Sequence, residues 1–81
     1  MDVFNQIKNV TDMESFVQFL NNLAQDYKDN HNEWKNLSID DYLKSIAAWI
    51  DDWTDLHGNE EFEQLDFKEL AKILYMGKIY E

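Results

Sequence analysis

Cysteine, proline and arginine are missing from this 81-residue chain, and glycine occurs only as Gly58 and Gly77. Without cysteine there is no disulfide framework, no thiolate nucleophile and no zinc site of the cysteine type. The same lack fits a reducing compartment, so the cytoplasm is the expected location. Scarce glycine and absent proline leave few residues suited to tight turns, which counts against an all-β domain. Without arginine the chain has no planar cation to clamp an anion in two places. No apolar run approaches the roughly 18 residues that a membrane span needs. The first ten residues contain Asp2 and lack a basic stretch ahead of an apolar one, so no secretory signal is expected there.

Acid and aromatic rings are what the chain has in quantity. Seventeen Asp and Glu face seven Lys, for a formal net charge of −10, beside three Trp, four Tyr and five Phe. Hydrophobic residues make up 44%, well above what a disordered acidic tail carries. One acidic helical domain over residues 1–81 is expected at this length. A chain so short buries only about 60% of its unfolded surface, and large rings are how its core is filled. Such a charge repels phosphate backbones and anionic lipid, so neither direct nucleic-acid binding nor a membrane is expected. A basic protein surface is the expected partner, with the chain itself a monomer or a weak homo-oligomer.

The spacing of apolar residues predicts an all-α fold, a small three-helix bundle with room for a fourth helix. A first long helix is expected over 11–29. Thr11 and Glu14 have the spacing of a reciprocal cap, and Met13, Phe16, Val17, Leu20, Leu23, Ala24 and Tyr27 form one stripe with Phe19 at its edge. A second helix is expected from Ser38, a good N-cap, with Asp40 and Asp41 in a first turn that favours negative charge. Its stripe is Ile39, Leu43, Ile46, Ile50 and Trp53. Residues 55–64 read as a connection around the turn signal Gly58-Asn59. A third helix is expected from Asp66, with Glu69 at the capping spacing and Phe67, Leu70, Ala71 and Leu74 as its stripe. Gly77 either ends that helix or allows close packing. Val3, Phe4, Ile7 and Val10 form a short extra helix or a packed arm. The expected core is Phe16, Val17, Leu20, Leu23, Leu43, Ile46, Ile50, Trp53, Leu70 and Leu74.

Three stretches carry a resemblance. They are Phe16-Val17-Gln18-Phe19-Leu20-Asn21-Asn22-Leu23, then Trp34-Lys35-Asn36 with Asp41 through Asp52, and then Leu70-Ala71-Lys72-Ile73-Leu74 with the ending Ile79-Tyr80-Glu81. In order and spacing the chain resembles a small uncharacterised bacterial family, a domain of unknown function. Its more specific pieces are Ala47-Ala48-Trp49-Ile50-Asp51-Asp52 and the terminal Ile-Tyr-Glu. Phe67 stands where that pattern often has Trp, and Met76 where it has small residues. The resemblance implies the fold and the boundaries, and no activity.

No catalytic set assembles. Ser38, Ser45 and His57 make a triad only on paper, since Ser38 is better explained as a cap. Paired carboxylates of the glycosidase kind need a deep cleft that a three-helix domain has little room for. The expectation is therefore no enzyme and no cofactor. No metal site is expected either: counting back from Gly58, an EF-hand loop would place Trp53 at its first ligand position. His31 and His57 form no pair at helical spacing.

The remaining constellation is acidic. Between Lys44 and Lys68 stand Asp51, Asp52, Asp55, Glu60, Glu61, Glu63 and Asp66 with no basic residue among them. Such a field steers a basic partner, although runs of charge more often only solvate a surface. Trp34, Trp49 and Trp53 are each expected in the core, Trp49 being the one whose edge reaches solvent. The expected partner-binding residues are Trp49, Asp51, Asp52, Asp55, Glu60, Glu61 and Glu63. The expected function is a small acidic protein-binding module, of which an inhibitor of the immunity or antitoxin type is one form. The alternative is a non-catalytic structural or accessory domain that acts by self-association. Crowded like charges are further expected to raise some carboxylate pKa values, so that stability rises as pH falls from neutral.

Overall fold

A computed structural model describes residues 3–80; Met1, Asp2 and Glu81 lie outside the described residues, so the expectations that involve Asp2 and Glu81 fall there. The fold is all-α. Four α-helices follow one another, α1 (Val3–Gln6), α2 (Met13–Asn30), α3 (Ile39–His57) and α4 (Phe67–Ile79), with no strand among the described residues. Short 3-10 turns, Ile7–Asn9, His31–Glu33 and Glu60–Phe62, punctuate the connections. The chain divides into two compact units, Met1–Ser45 and Ile46–Glu81, with the boundary inside α3.

The first unit is built around α2. Its start lies one residue later than the sequence pattern suggests. The cap is Asp12, whose carboxylate accepts the Ser15 N–H at 2.8 Å, and the Ser15 hydroxyl in turn accepts the Asp12 N–H at 3.1 Å. Ser15 also takes the Thr11 N–H at 2.9 Å, so Thr11 is a recipient of the cap and not its source. A carboxylate outcompetes the Thr11 hydroxyl here because an anion is favoured at the positive end of the helix dipole. The Val3–Val10 segment resolves into α1 and its 3-10 turn, and α1 packs against α2. Asn22 Nδ2 donates to Gln6 Oε1 at 2.7 Å across that contact.

That contact also shifts the face of α2 that is covered. Phe16, Phe19, Asn22, Leu23 and Asp26 are half-buried, whereas Val17 and Leu20 are exposed. Phe19, expected at the edge, is thus nearer the centre of the covered face. After α2, the Trp34 indole returns to the helix by donating Nε1–H to Asp26 Oδ2 at 2.8 Å. Tyr27 reaches the other way, its hydroxyl donating to the Leu37 carbonyl at 2.7 Å. Two side chains therefore tie the linker to α2. Ser38 then starts α3, its hydroxyl accepting the Asp41 N–H at 3.4 Å and its carbonyl the Tyr42 N–H at 2.9 Å.

In the second unit α3 continues to His57, so Asp55, Leu56 and His57 are helical and not part of a connection. The Thr54 hydroxyl bonds back to the Ile50 and Asp51 carbonyls at 2.9 and 3.1 Å, which leaves the helix intact through this point. Gly58 ends it with φ +79, a conformation that L side chains rarely adopt, and its N–H closes on Thr54 O at 2.8 Å. Asp66 caps α4 as expected, Oδ1 accepting the Lys68 and Glu69 N–H groups at 3.1 and 3.2 Å. Gly77 neither stops α4 nor lies at a close approach. The helix passes through it to Ile79, and a Cβ there would meet nothing within 4 Å.

The expected core needs the largest correction. Among the described residues none is fully buried. Phe16, Leu23, Ile46, Trp53 and Leu70 are half-buried, and Val17, Leu20, Leu43, Ile50 and Leu74 are exposed. The reason is size. Units bounded as Met1–Ser45 and Ile46–Glu81 hold too little chain to surround any side chain on all sides.

Candidate protein-interaction site

The sequence-predicted residues fall in the second unit, on two neighbouring elements. Trp49, Asp51, Asp52 and Asp55 stand on α3, Glu60 and Glu61 in the 3-10 turn, and Glu63 just after it; all seven are exposed. The residue that joins the two groups is Phe62. It belongs to the same turn as Glu60 and Glu61, and its ring meets Trp49 edge-on at a centroid distance of 6.1 Å. The turn is braced by backbone bonds, Phe62 N–H to Asn59 O at 3.0 Å and Leu65 N–H to Phe62 O at 3.1 Å. Phe62 was hidden in the sequence by its acidic neighbours, but a lone apolar ring in a charged connection is the signal that a loop is anchored.

Trp49 is exposed by 51%, so it is not the core residue the sequence suggests. Its ring stacks on Trp53 at 5.3 Å and 28°, the two being one helical turn apart. Trp53 is half-buried and also meets the His57 ring at 4.1 Å. Residues 49, 52, 53 and 56 share one face of α3 by the three-and-four rule. Leu56 on that face is exposed by 80%, so Asp52 sits between two exposed apolar groups. Asp51 and Asp55 stand one turn apart beside it. Among the described residues Trp53 Nε1 has no hydrogen-bond acceptor, and the rings of this group meet by faces and edges.

Two physical details change the electrostatic reading. Only Asp55 lies in the last turn of α3, where the dipole opposes a carboxylate; Asp51 and Asp52 are too far from the end to feel it strongly. The carboxylates that depart from their ordinary value of 3.8 do so downward, against the crowding expectation. Asp12 is lowered first by the Ser15 hydroxyl and then by the Ser15 N–H, and Asp40 first by the Ser38 hydroxyl. Asp12 caps α2 and Asp40 lies in the first turn of α3, so at both local donors outweigh the field of distant anions.

The first unit carries an apolar groove that the sequence reading missed. It has a volume of ≈ 540 Å³ and is walled by Leu20, Leu23, Tyr27, Trp34, Leu37 and Tyr42 among others. Trp34 meets Tyr27 edge-on at 5.1 Å and stacks on Tyr42 at 6.0 Å and 26°. The apolar residues Trp34, Leu37 and Ile39, spaced through a linker, were the signal. Among the described residues no group of His, Asp and Glu has a geometry able to hold a metal ion. Nor, among the described residues, is any helix long and apolar enough to cross a membrane.

The chain matches the model of a family described as "Family of unknown function (DUF7660)" over residues 12–81. It belongs to that family. All three stretches that carried the resemblance lie inside the matched range, Glu81 included. Neither a curated protein nor a solved structure matches the chain. Membership brings no activity with it.

Proposed function

We propose that the chain is a small acidic protein-binding module that covers a basic surface of a partner. The observation that carries this reading is the strip on α3 where exposed Trp49 and Leu56 flank Asp52. Apolar groups set among carboxylates suit a partner that offers cations and apolar contact together. Aromatic anchors with a charged rim are the usual makeup of an interface. The field of Asp51, Asp52, Asp55, Glu60, Glu61 and Glu63 would act on the association rate, and Trp49 on the lifetime of the complex. Inhibition of the immunity or antitoxin type is one form such coverage takes.

The test is calorimetric titration with a short peptide of alternating alanine and lysine, at low and at high salt. Binding that weakens with salt and is lost in Asp52→Lys/Asp55→Lys supports the reading. Binding unaffected by the double reversal would show the acids to be a solvated surface only.

A second reading, self-association as a structural or accessory domain, draws on α4. Phe67, Leu74, Tyr75 and Ile79 are all more than half exposed, although apolar groups on several sides of a helix are normally covered. Sedimentation at several concentrations separates the two: mass rising with concentration favours self-association, and a constant monomer favours the first reading.

A further inference from the structure

Within the second unit, Ile50 and Thr54 of α3, Asn59, Phe62 and Glu63 of the connection and Phe67 of α4 wall an open hollow of ≈ 310 Å³. We propose that this hollow receives an arginine side chain of the basic partner. The inference rests on the reading above and adds the residue class that the partner must supply.

Three features argue for it. Ile50, Phe62 and Phe67 make the walls apolar, so the hollow suits the methylene stem of a long side chain. The polar groups at its edge offer lone pairs. Glu63 is a carboxylate, and the single hydroxyl hydrogen of Thr54 is committed to the Ile50 and Asp51 carbonyls, which leaves its oxygen to accept. A purely apolar guest would desolvate Glu63 without giving it a partner, an unfavourable exchange. Asn59 offers a donor and an acceptor alike, but the Glu63 carboxylate only accepts, so the guest needs an apolar stem and a donating head, which arginine and lysine have.

Charge and shape then choose between them. No cation of this chain lies between Lys44 and Lys68, while seven acids do, so the complement comes from outside that segment. A guanidinium is flat, weakly hydrated and able to lie on an aromatic face while presenting two parallel N–H groups to one carboxylate. An ammonium can sit over a ring, as Lys78 does over Tyr75, but it is not flat, cannot present two parallel N–H groups to one carboxylate and is held more tightly by water. The rings of Phe62 and Phe67 with Glu63 beside them match the first description. This chain contains no arginine at all, so a second copy of it cannot fill the hollow.

The experiment compares two probes on the full chain by calorimetry at one salt concentration. One is a short peptide of alternating alanine and arginine, the other its lysine counterpart. The arginine peptide is expected to bind about fivefold tighter or more, through the paired charge-assisted bonds. Glu63→Gln and Phe67→Ala should each remove the preference, so that the two peptides bind alike. Phe67→Ala leaves lysine binding unchanged, whereas Glu63→Gln also takes one charge from the acidic field and weakens the lysine peptide slightly. Glu63 and Phe67 are both exposed, and unchanged denaturation midpoints check that each variant is folded. Equal affinity of the two peptides for the unaltered chain, or an arginine preference that survives both variants, overturns the inference and leaves the protein-binding reading standing. Failure of both peptides to bind overturns the two together.

Discussion

The two units each gather aromatic rings, and they hold them by different means. In Met1–Ser45, Trp34 meets both Tyr27 and Tyr42, and Trp34 and Tyr27 also hydrogen-bond. The Trp34 indole is fixed to Asp26 and the Tyr27 hydroxyl to Leu37 O, partners eight and ten residues away. In Ile46–Glu81, Trp49 meets Trp53 by its face and Phe62 edge-on, and Trp53 Nε1 has no acceptor among the described residues. A ring with a bonded polar handle has one allowed position and closes a loop. A ring that only stacks keeps its freedom to re-pack against something else. The first group is therefore scaffold, and the second is the surface that we propose for a partner.

The largest difference should come from removing one ring from each group. Trp34→Ala loses two ring contacts and a bond to a carboxylate. Because Trp34 is half-buried, its cost should fall below the ~3–5 kcal/mol of a fully buried ring, at about 2–3 kcal/mol. Trp49→Ala gives up only stacking and should cost about 1 kcal/mol or less. Chemical denaturation of both variants checks this, and equal costs would erase the distinction. A finer cut uses phenylalanine. Trp34→Phe leaves Asp26 Oδ2 without its indole donor and should cost about 1.5 kcal/mol, the low end for a bond to a charged group. Trp53→Phe breaks no hydrogen bond and should cost less. Tyr27→Phe, which removes only the bond to Leu37 O, should cost about 0.5–1.5 kcal/mol and loosen the linker in hydrogen exchange.

The smallest effect concerns pH. Asp12 and Asp40 have folded pKa values below the ordinary 3.8, so the folded state binds fewer protons than the unfolded one in that range. Their contribution is present above the unfolded value and is lost as pH falls through the folded one. Stability from these two helix N-termini should thus decline on acidification below about pH 4. Asp12→Asn keeps an accepting cap and removes one titrating group. Its denaturation midpoint should vary less with pH than that of the unaltered chain, and an unchanged pH profile would remove Asp12 from the account.

Much of the fold was legible because helices are written locally. Ser38 and Asp66 marked helix starts through their own chemistry, and Gly58 was legible as a turn; that α3 runs on through Asp55 to His57 before it was not, because the charged residues there look like a connection. Thr11 misled by one position, since Asp12 beside it is the stronger acceptor. The covered faces were harder to read. A stripe such as Val17 and Leu20 states that burial is wanted, and only the docking of α1 through Gln6 and Asn22 decides which neighbouring face receives it. Of the candidate site, the acids were visible as a run, whereas Phe62 was not recognisable as the residue that holds Glu60 and Glu61 beside Trp49. Tyr27 and Trp34 likewise gave no sign of their polar partners, because Leu37 O and Asp26 are set by how the linker folds back.

The division of labour between the two groups of rings can be read from the three indole N–H resonances. In a proton–nitrogen correlation spectrum, the chain is titrated with the peptide of alternating alanine and arginine. The resonances of Trp49 and Trp53 should move together and saturate, while that of Trp34, held on Asp26, stays in place. A shift of Trp34 as large as those of Trp49 and Trp53, or no shift of Trp49, would contradict the account.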